Sequence, residues 1–416
     1  MNVAGPATRG VSTRVVLFGV LALAVNLRAA LAGYPPLIET VRADLGVDAG
    51  TAGLVQSGAV LMMAVGSFVG PMIGARLGRE RALGWSVGLI ALGSLVRGVP
   101  ALAALIAASL VIGLGIGLAG VLLTGVVKHH LAARAGAVTG GYVVSMMVGA
   151  TVASALGVPL AIGLGGWSFS LAVWTVPAVL AVAAWTPIAR RIAEPTSAAA
   201  AAGARRALPW RDPFARRSAC YQAGTSMMFY GWITWLAPYY EGQGWSPQHA
   251  GVLLAAWSVT QIPSALVVPA LAERRRRWRF WASTTLACGI AGTVGAILLP
   301  QPPGIGPWLW VVLLGIGVGA GFPLGLAVIA WRTPDGHASA ATSGLALGVG
   351  YVAAALAPLV MGLLIDLTGG YPAALALLVA AGLLQAGAVW RIGDRPRAGD
   401  HSADGRTVSP ASRPGP

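Results

Sequence analysis

IGLGIGLAG, residues 112–120, sets glycine at 113, 115 and 117, and LGIGVGAG, residues 314–321, repeats the arrangement at 315, 317 and 319. A G-x-G string invites a dinucleotide reading, but that chemistry needs a preceding strand and a phosphate at a helix start. Both strings lie instead inside long apolar runs, where small residues four apart let helix backbones approach closely in lipid. The second follows the first at an offset of 202. Four further matches keep the same order. Thr139-Gly140-Gly141 pairs with Thr342-Ser343-Gly344, Gly165-Gly166-Trp167 with Gly369-Gly370-Tyr371, Pro36 with Pro238, and Ala52-Gly53 with Ala250-Gly251, all at offsets between 198 and 204. One match means little in a glycine-rich chain; five in order indicate a duplicated six-helix unit with parallel topology.

The surrounding composition agrees. The 416 residues are 56% hydrophobic and 10% charged, with a mean hydropathy of +0.74, well beyond a soluble domain. Apolar segments long enough for a hydrocarbon layer of ~30 Å are expected at 15–38, 50–74, 82–98, 101–126, 136–160, 168–189, 218–240, 249–271, 280–299, 308–331, 341–364 and 372–391. The fold class is therefore all-α integral membrane, with twelve transmembrane helices in two six-helix pseudo-repeats. A cytoplasmic N-terminal segment (1–14), a first bundle (15–189), a basic linker (190–217), a second bundle (218–391) and a disordered cytoplasmic tail (392–416) follow from that division. Arg9, Arg14 and Ala30-Leu31-Ala32 imitate a secretory signal, but Asn26 and Arg28 interrupt its apolar region, so the segment is expected to stay as the first helix.

A formal charge of +15 raises the question of nucleic acid. The distribution excludes it: all but three of the 28 Lys and Arg, namely Arg28, Arg42 and Arg97, fall in the N-terminal segment, the even-to-odd loops and the tail. That asymmetry is the positive-inside signature and places both termini in the cytoplasm, with the basic linker against anionic lipid. Cys220 and Cys288 lie in apolar spans without metal or redox spacing, and no cofactor is implied. An arginine excess of 27 over a single lysine points to a GC-rich bacterial genome and a plasma-membrane location.

LALAVNLRAALAGYPPL, residues 21–37, then carries the functional signal. Arg28 stands about 21 Å along the helix from Arg14, with no Asp or Glu at mid-span in any helix. Such an arginine is costly unless it faces water, backbone carbonyls or an anion; snorkelling to the far surface is the bland alternative. Asn26 lies about 200° around the helix from it. By the offset of 202, Tyr230 occupies in the second repeat the place of Arg28 in the first, so the two are candidates to face one cavity, although a buried structural tyrosine fits as well. PMIGARLGRERA (71–82) and AERRRRWR (272–279) read as topology signals, with Arg76 or Arg79 alternatively reaching a helix C-terminus across a gate.

These strings together resemble the major facilitator superfamily, and locally its cyanate-permease and 2-nitroimidazole-transporter branch. The likeness rests on Asn26, Leu27, Arg28, Leu31, Pro36 and Leu37; on Tyr230, Trp235, Leu236, Pro238, Gly244, Ser246, Ala250 and Gly251; and on Gly321 to Leu324, Arg332 to Pro334, Ser343-Gly344, Gly350-Tyr351 and Pro358. Three positions depart from it: Ala75 stands where the superfamily carries Asp, and Thr225 and Leu347 where relatives carry Gln. The resemblance implies a secondary transporter working by alternating access. Its expected substrate contacts are Arg28, Tyr230, Trp235, Tyr351, Ser343, Gln261, Gln56 and Asn26, and its expected gating residues are Arg76, Gly78, Arg79 and Arg332. The cation at Arg28 favours a small anion, cyanate-like or a small carboxylate; export of an uncharged planar compound such as a nitroimidazole is the alternative. A receptor or membrane enzyme is remote, since no mid-span acid or histidine offers a base. A coupling proton is a further candidate partner, with Glu39 and Asp366 as the nearest titratable groups, and a monomer is expected.

Overall fold

The computed structural model describes residues 12–131, 135–192, 209–275, 277–334 and 336–393, and within them every regular element is helical. The expectations for the N-terminal segment, most of the linker and the tail lie outside the described residues.

Among the described residues twelve long helical segments follow in chain order. The first, α1 (Thr13–Ala32), starts where the Ser12 hydroxyl accepts the Arg14 N–H at 3.2 Å. It stops before Pro35 and Pro36, which lack the N–H needed to continue a helix. The chain turns through a 3₁₀ segment (Pro35–Leu37) and a short helix (Ile38–Leu45), ended by left-handed Gly46. Asp48 caps α2 (Ala49–Leu77) by accepting the Thr51 N–H at 2.7 Å, and the Thr51 side chain together with that amide holds its carboxyl below the usual range. Gly78, at φ 85°, makes the abrupt α2–α3 corner that a side chain would strain. The path continues through α3 (Arg79–Val96), α4 (Leu102–His130), α5 (Ala135–Leu164), a short helix (Trp167–Ala172) and α6 (Thr175–Ile192). The second set comprises α7 (Pro213–Gly242), α8 (Pro247–Arg275), α9 (Trp278–Leu298), α10 (Trp308–Gly319 and Gly321–Arg332, broken at Ala320), α11 (Gly336–Thr368) and α12 (Pro372–Ile392).

Among the described residues ten helices are long and apolar enough to cross a membrane. The two that fall short, α3 and α7, do so for physical reasons. The first turn of α3 holds Arg79, Glu80 and Arg81, and α7 is rich in Gln222, Thr225, Tyr230, Trp232 and Trp235, all buried in protein rather than bathed in lipid.

The duplicated glycines are among the close helix contacts. A Cβ on Gly113 or Gly117 would collide with the backbone of Ala59 or Met63 on α2; on Gly315 or Gly319 it would meet Trp257 or Gln261 on α8. Residues 59 and 63 become 257 and 261 at the offset of 198 that relates Ala52-Gly53 to Ala250-Gly251. The repeat read along the chain is thus a repeat of packing, α2 on α4 and α8 on α10. Between the two sets of six, contact runs along α2 with α11 and α5 with α8.

Arg97 is 1% exposed at the end of α3. Its Nη1 donates to the Ala30 carbonyl at 2.7 Å and its Nη2 to the Ser109 hydroxyl at 2.8 Å, with the Tyr34 ring 6.0 Å away. The early stop of α1 leaves the Ala30 carbonyl without a helical partner, and the guanidinium supplies one.

Candidate functional site

Arg28 lies fifteen residues into α1, about 22 Å along its axis, and is half-buried. Its Cζ sits 4.6 Å over the centre of the Phe229 ring from α7. Its Nη1 is buried and has no hydrogen-bond partner among the described residues. Tyr230, 6% exposed, turns its ring edge to Phe229 at 5.0 Å and its O–H toward the Met63 sulfur of α2 at 3.9 Å. Tyr351 of α11, half-buried, and Tyr230 both lie within electrostatic reach of the Arg28 guanidinium. Ser67 of α2 donates to the Met63 carbonyl at 2.8 Å. Against Phe229 the fully buried Trp257 of α8 packs at 5.3 Å, and its indole N–H also lacks an acceptor. Residues of α7 and α11 thus surround the Arg28 cation of α1, and residues of α2 and α8 pack against those of α7. The chemical capacity of the arrangement is clear: two buried donors with no acceptor, one of them charged, beside apolar rings suit an acceptor-rich anion.

The remaining expected contacts are more dispersed. Trp235 donates its Nε1–H to the Pro358 carbonyl at 3.0 Å, so it ties α7 to α11. Gln261 spends its amide on the Trp257 carbonyl one turn earlier, at 3.2 Å, and backs onto Gly319. Ser343 is half-buried on α11. Gln56 is fully buried on α2, one face and seven residues before Met63, with both amide atoms unpartnered. Asn26 points away from Arg28: its amide donates to Ala22 at 2.9 Å and approaches the Pro177 carbonyl of α6 at 3.5 Å, as the 200° separation requires.

The gating expectations divide in the same way. Arg76 and Arg79 are exposed, and the Arg79 stem runs beside Gly74 and Gly125 within the first six helices. Gly78 forms the α2–α3 corner. Arg332 does reach a helix C-terminus, that of α12, through the Ile392 carbonyl at 2.8 Å and the Gly393 carbonyl. This contact stays within the last six helices rather than crossing between the sets.

Contacts that do cross gather at the end of the molecule remote from Ser12 and Gly393, here the far end. Both carboxylate oxygens of Asp366 on α11 accept from the first N–H groups of α2, Ala49 at 3.0 Å and Gly50 at 2.6 Å, where free amides and the helix dipole favour an anion. Leu359 N–H donates to the Ser57 hydroxyl at 3.1 Å. A Cβ on Gly53 would strike the Pro358 carbonyl, and one on Gly251 would come within 2.8 Å of the Ser154 carbonyl. Beyond this seam lies a cavity of about 760 Å³ lined by Glu39, Arg42, Tyr239, Glu241, Trp245 and Tyr371 among others, without Arg28. Glu39 binds Arg42 at 2.9 Å and accepts from Tyr371 at 3.4 Å.

Phe229, Trp257, Met63 and Ser67 were not anticipated from the sequence. Phe229 and Trp257 are single aromatics in apolar runs; the one signal they carried was that Phe229 is next to Tyr230 in the chain and Trp257 is the repeat partner of Ala59. The buried pair of Glu80 with His130, at 2.8 Å, was also missed, being separated by fifty residues. Among the described residues no three His, Cys, Asp or Glu side chains converge as a metal site.

Comparison with known proteins adds an independent line. Residues 17–322 match the Major Facilitator Superfamily. The chain is 31% identical to the 2-nitroimidazole transporter of Escherichia coli over 89% of its own length and 93% of the relative's. It is 29% identical to uncharacterized transporter YycB of Bacillus subtilis, covering 90% and 92%, and 28% identical to the cyanate transport protein CynX of Escherichia coli, covering 86% and 91%. In fold it is similar to a D-xylose-proton symporter, with a TM-score of 0.73 at 13% identity over 92% of this chain and 99% of that one.

Proposed function

This chain belongs to the Major Facilitator Superfamily, and from that premise we propose that it moves a small anion across a bacterial plasma membrane by alternating access, with Arg28 as the charge that holds the solute. The observation that carries the reading is the buried, unpartnered Nη1 of Arg28. A guanidinium without a counter-charge at that depth is disfavoured unless an anion or water completes it. Cyanate, named for one relative, and small carboxylates are the matching chemistry. Tyr230, Tyr351 and Gln56 complete the site, and Trp235 couples it to the seam.

The bundles at 15–189 and 218–391 are the moving units, monomeric, with both termini cytoplasmic. The far-end seam, closed by Asp366 on α2 and by Gly53 and Gly251 against the opposite backbone, is the barrier that must part for exchange with the outside. No covalent chemistry is needed for this task.

A second reading, transport of an uncharged planar compound, is favoured by the Phe229 and Trp257 rings and by the 2-nitroimidazole relative. Counterflow into proteoliposomes with cyanate inside and either cyanate or 2-nitroimidazole outside separates the two. Exchange of the anion, abolished in Arg28→Ala, supports the first; exchange of the neutral compound alone, undisturbed in that variant, supports the second.

A further inference from the structure

A diatomic or triatomic anion needs only the cation, so the ring wall beside Arg28 calls for its own explanation. Phe229, Tyr230 and Trp257 meet within 5.0 and 5.3 Å of one another in sequence. The guanidinium rests on the open face of Phe229 at 4.6 Å, a contact that desolvated cations make with aromatic faces. Phe229 is half-buried, and the guanidinium covers one of its faces. Trp257 is 0% exposed, yet its N–H is unpaired, and buried donors are rarely left so without a bound group to accept from them.

We propose that the site selects aromatic monocarboxylates. The carboxylate draws Arg28 off Phe229, the ligand ring takes the vacated face, and Trp257 is a specificity-determining donor to an oxygen of the same ligand. In the structure the guanidinium lies where the ligand ring would stack. This rests on the reading of Arg28 as the anion contact.

The test uses the purified full-length chain in detergent and isothermal titration with three probes of similar size: benzoate, cyclohexanecarboxylate with the charge but no π-system, and benzamide with the ring but no charge. Benzoate is expected to bind about 3–10-fold tighter than cyclohexanecarboxylate. Phe229→Leu should erase that preference. Trp257→Phe, which keeps a ring and removes the donor, should weaken benzoate about 3–10-fold while the preference remains. Equal binding of benzoate and cyclohexanecarboxylate, or unchanged benzoate affinity in Trp257→Phe, overturns this proposal and leaves the anion reading standing. Benzamide binding as tightly as benzoate overturns both, as does the absence of benzoate binding at millimolar concentration together with that of every other anion; absence for benzoate alone overturns only the aromatic selection.

Discussion

Arg28 and Arg97 are two arginines inside the first six helices with opposite surroundings, Arg97 hydrogen-bonded and Arg28 with an unpartnered Nη1. The Arg97 guanidinium is enclosed and bonded to Ala30 and Ser109, so its removal orphans a buried carbonyl. Arg97→Leu should lower the thermal midpoint in detergent, with a cost of about 1–3 kcal/mol for the unpaired group. Arg28→Ala removes no hydrogen bond and should leave the ligand-free midpoint near that of the parent protein; a large loss there would mean a structural arginine. Depth along the first helix was enough to single out Arg28 from the sequence. It was not enough to describe Arg97, whose partners come from α1 and α4 and whose position at a span edge looks like ordinary topology. Tyr230 was reachable only because a repeat supplies a rule for pairing distant residues. Phe229 and Trp257 had no such rule, since an aromatic in an apolar run is ordinarily packing.

The glycines show how one residue type serves two purposes at the scale of elements. Gly113 and Gly117 seat α4 on α2 within the first set, and nothing in that contact is expected to move. Gly117→Leu should therefore abolish a monodisperse folded fraction in size-exclusion chromatography, because the new side chain meets the Met63 backbone. Gly53 and Gly251 lie on the seam between sets, related by the offset of 198, and face Pro358 and Ser154. Gly53→Val should fold yet resist far-end closure. Asp366→Ala, which strips the anion from the α2 N-terminus, should act in the same direction. With Cys220 and Cys288 replaced by Ser and a reporter Ser57→Cys in the seam, either change is expected to raise labelling by a membrane-impermeant maleimide applied from outside several-fold; unchanged labelling would show that the seam is not the outer barrier. The sequence contained both glycine pairs as equal-looking motifs. What distinguished them was whether the opposing backbone belonged to the same six helices, a fact of tertiary arrangement.

For the whole molecule, duplication was the most legible property because it leaves a fixed offset in the chain and the same offset in the packing. Membrane character followed from composition, with α3 and α7 as instructive exceptions: α3 opens on a charged turn whose Arg79 and Arg81 are exposed, and the polar and aromatic residues of α7 are shielded by protein. Orientation rests on the distribution of arginine: a reporter fused after Pro416 should be active only in its cytoplasmic form, and activity of a periplasm-specific reporter would reverse the assignment. Solute identity was beyond reach of the chain alone, since it depends on which side chains from five helices share a space. The most direct test of the central claim is a thermal-shift comparison of the parent protein and Arg28→Ala against cyanate, formate, benzoate and neutral 2-nitroimidazole. At least one anion is expected to raise the midpoint of the parent protein and to leave that of Arg28→Ala unchanged. Stabilisation by the neutral compound alone, or an anion shift of equal size in both proteins, would contradict it.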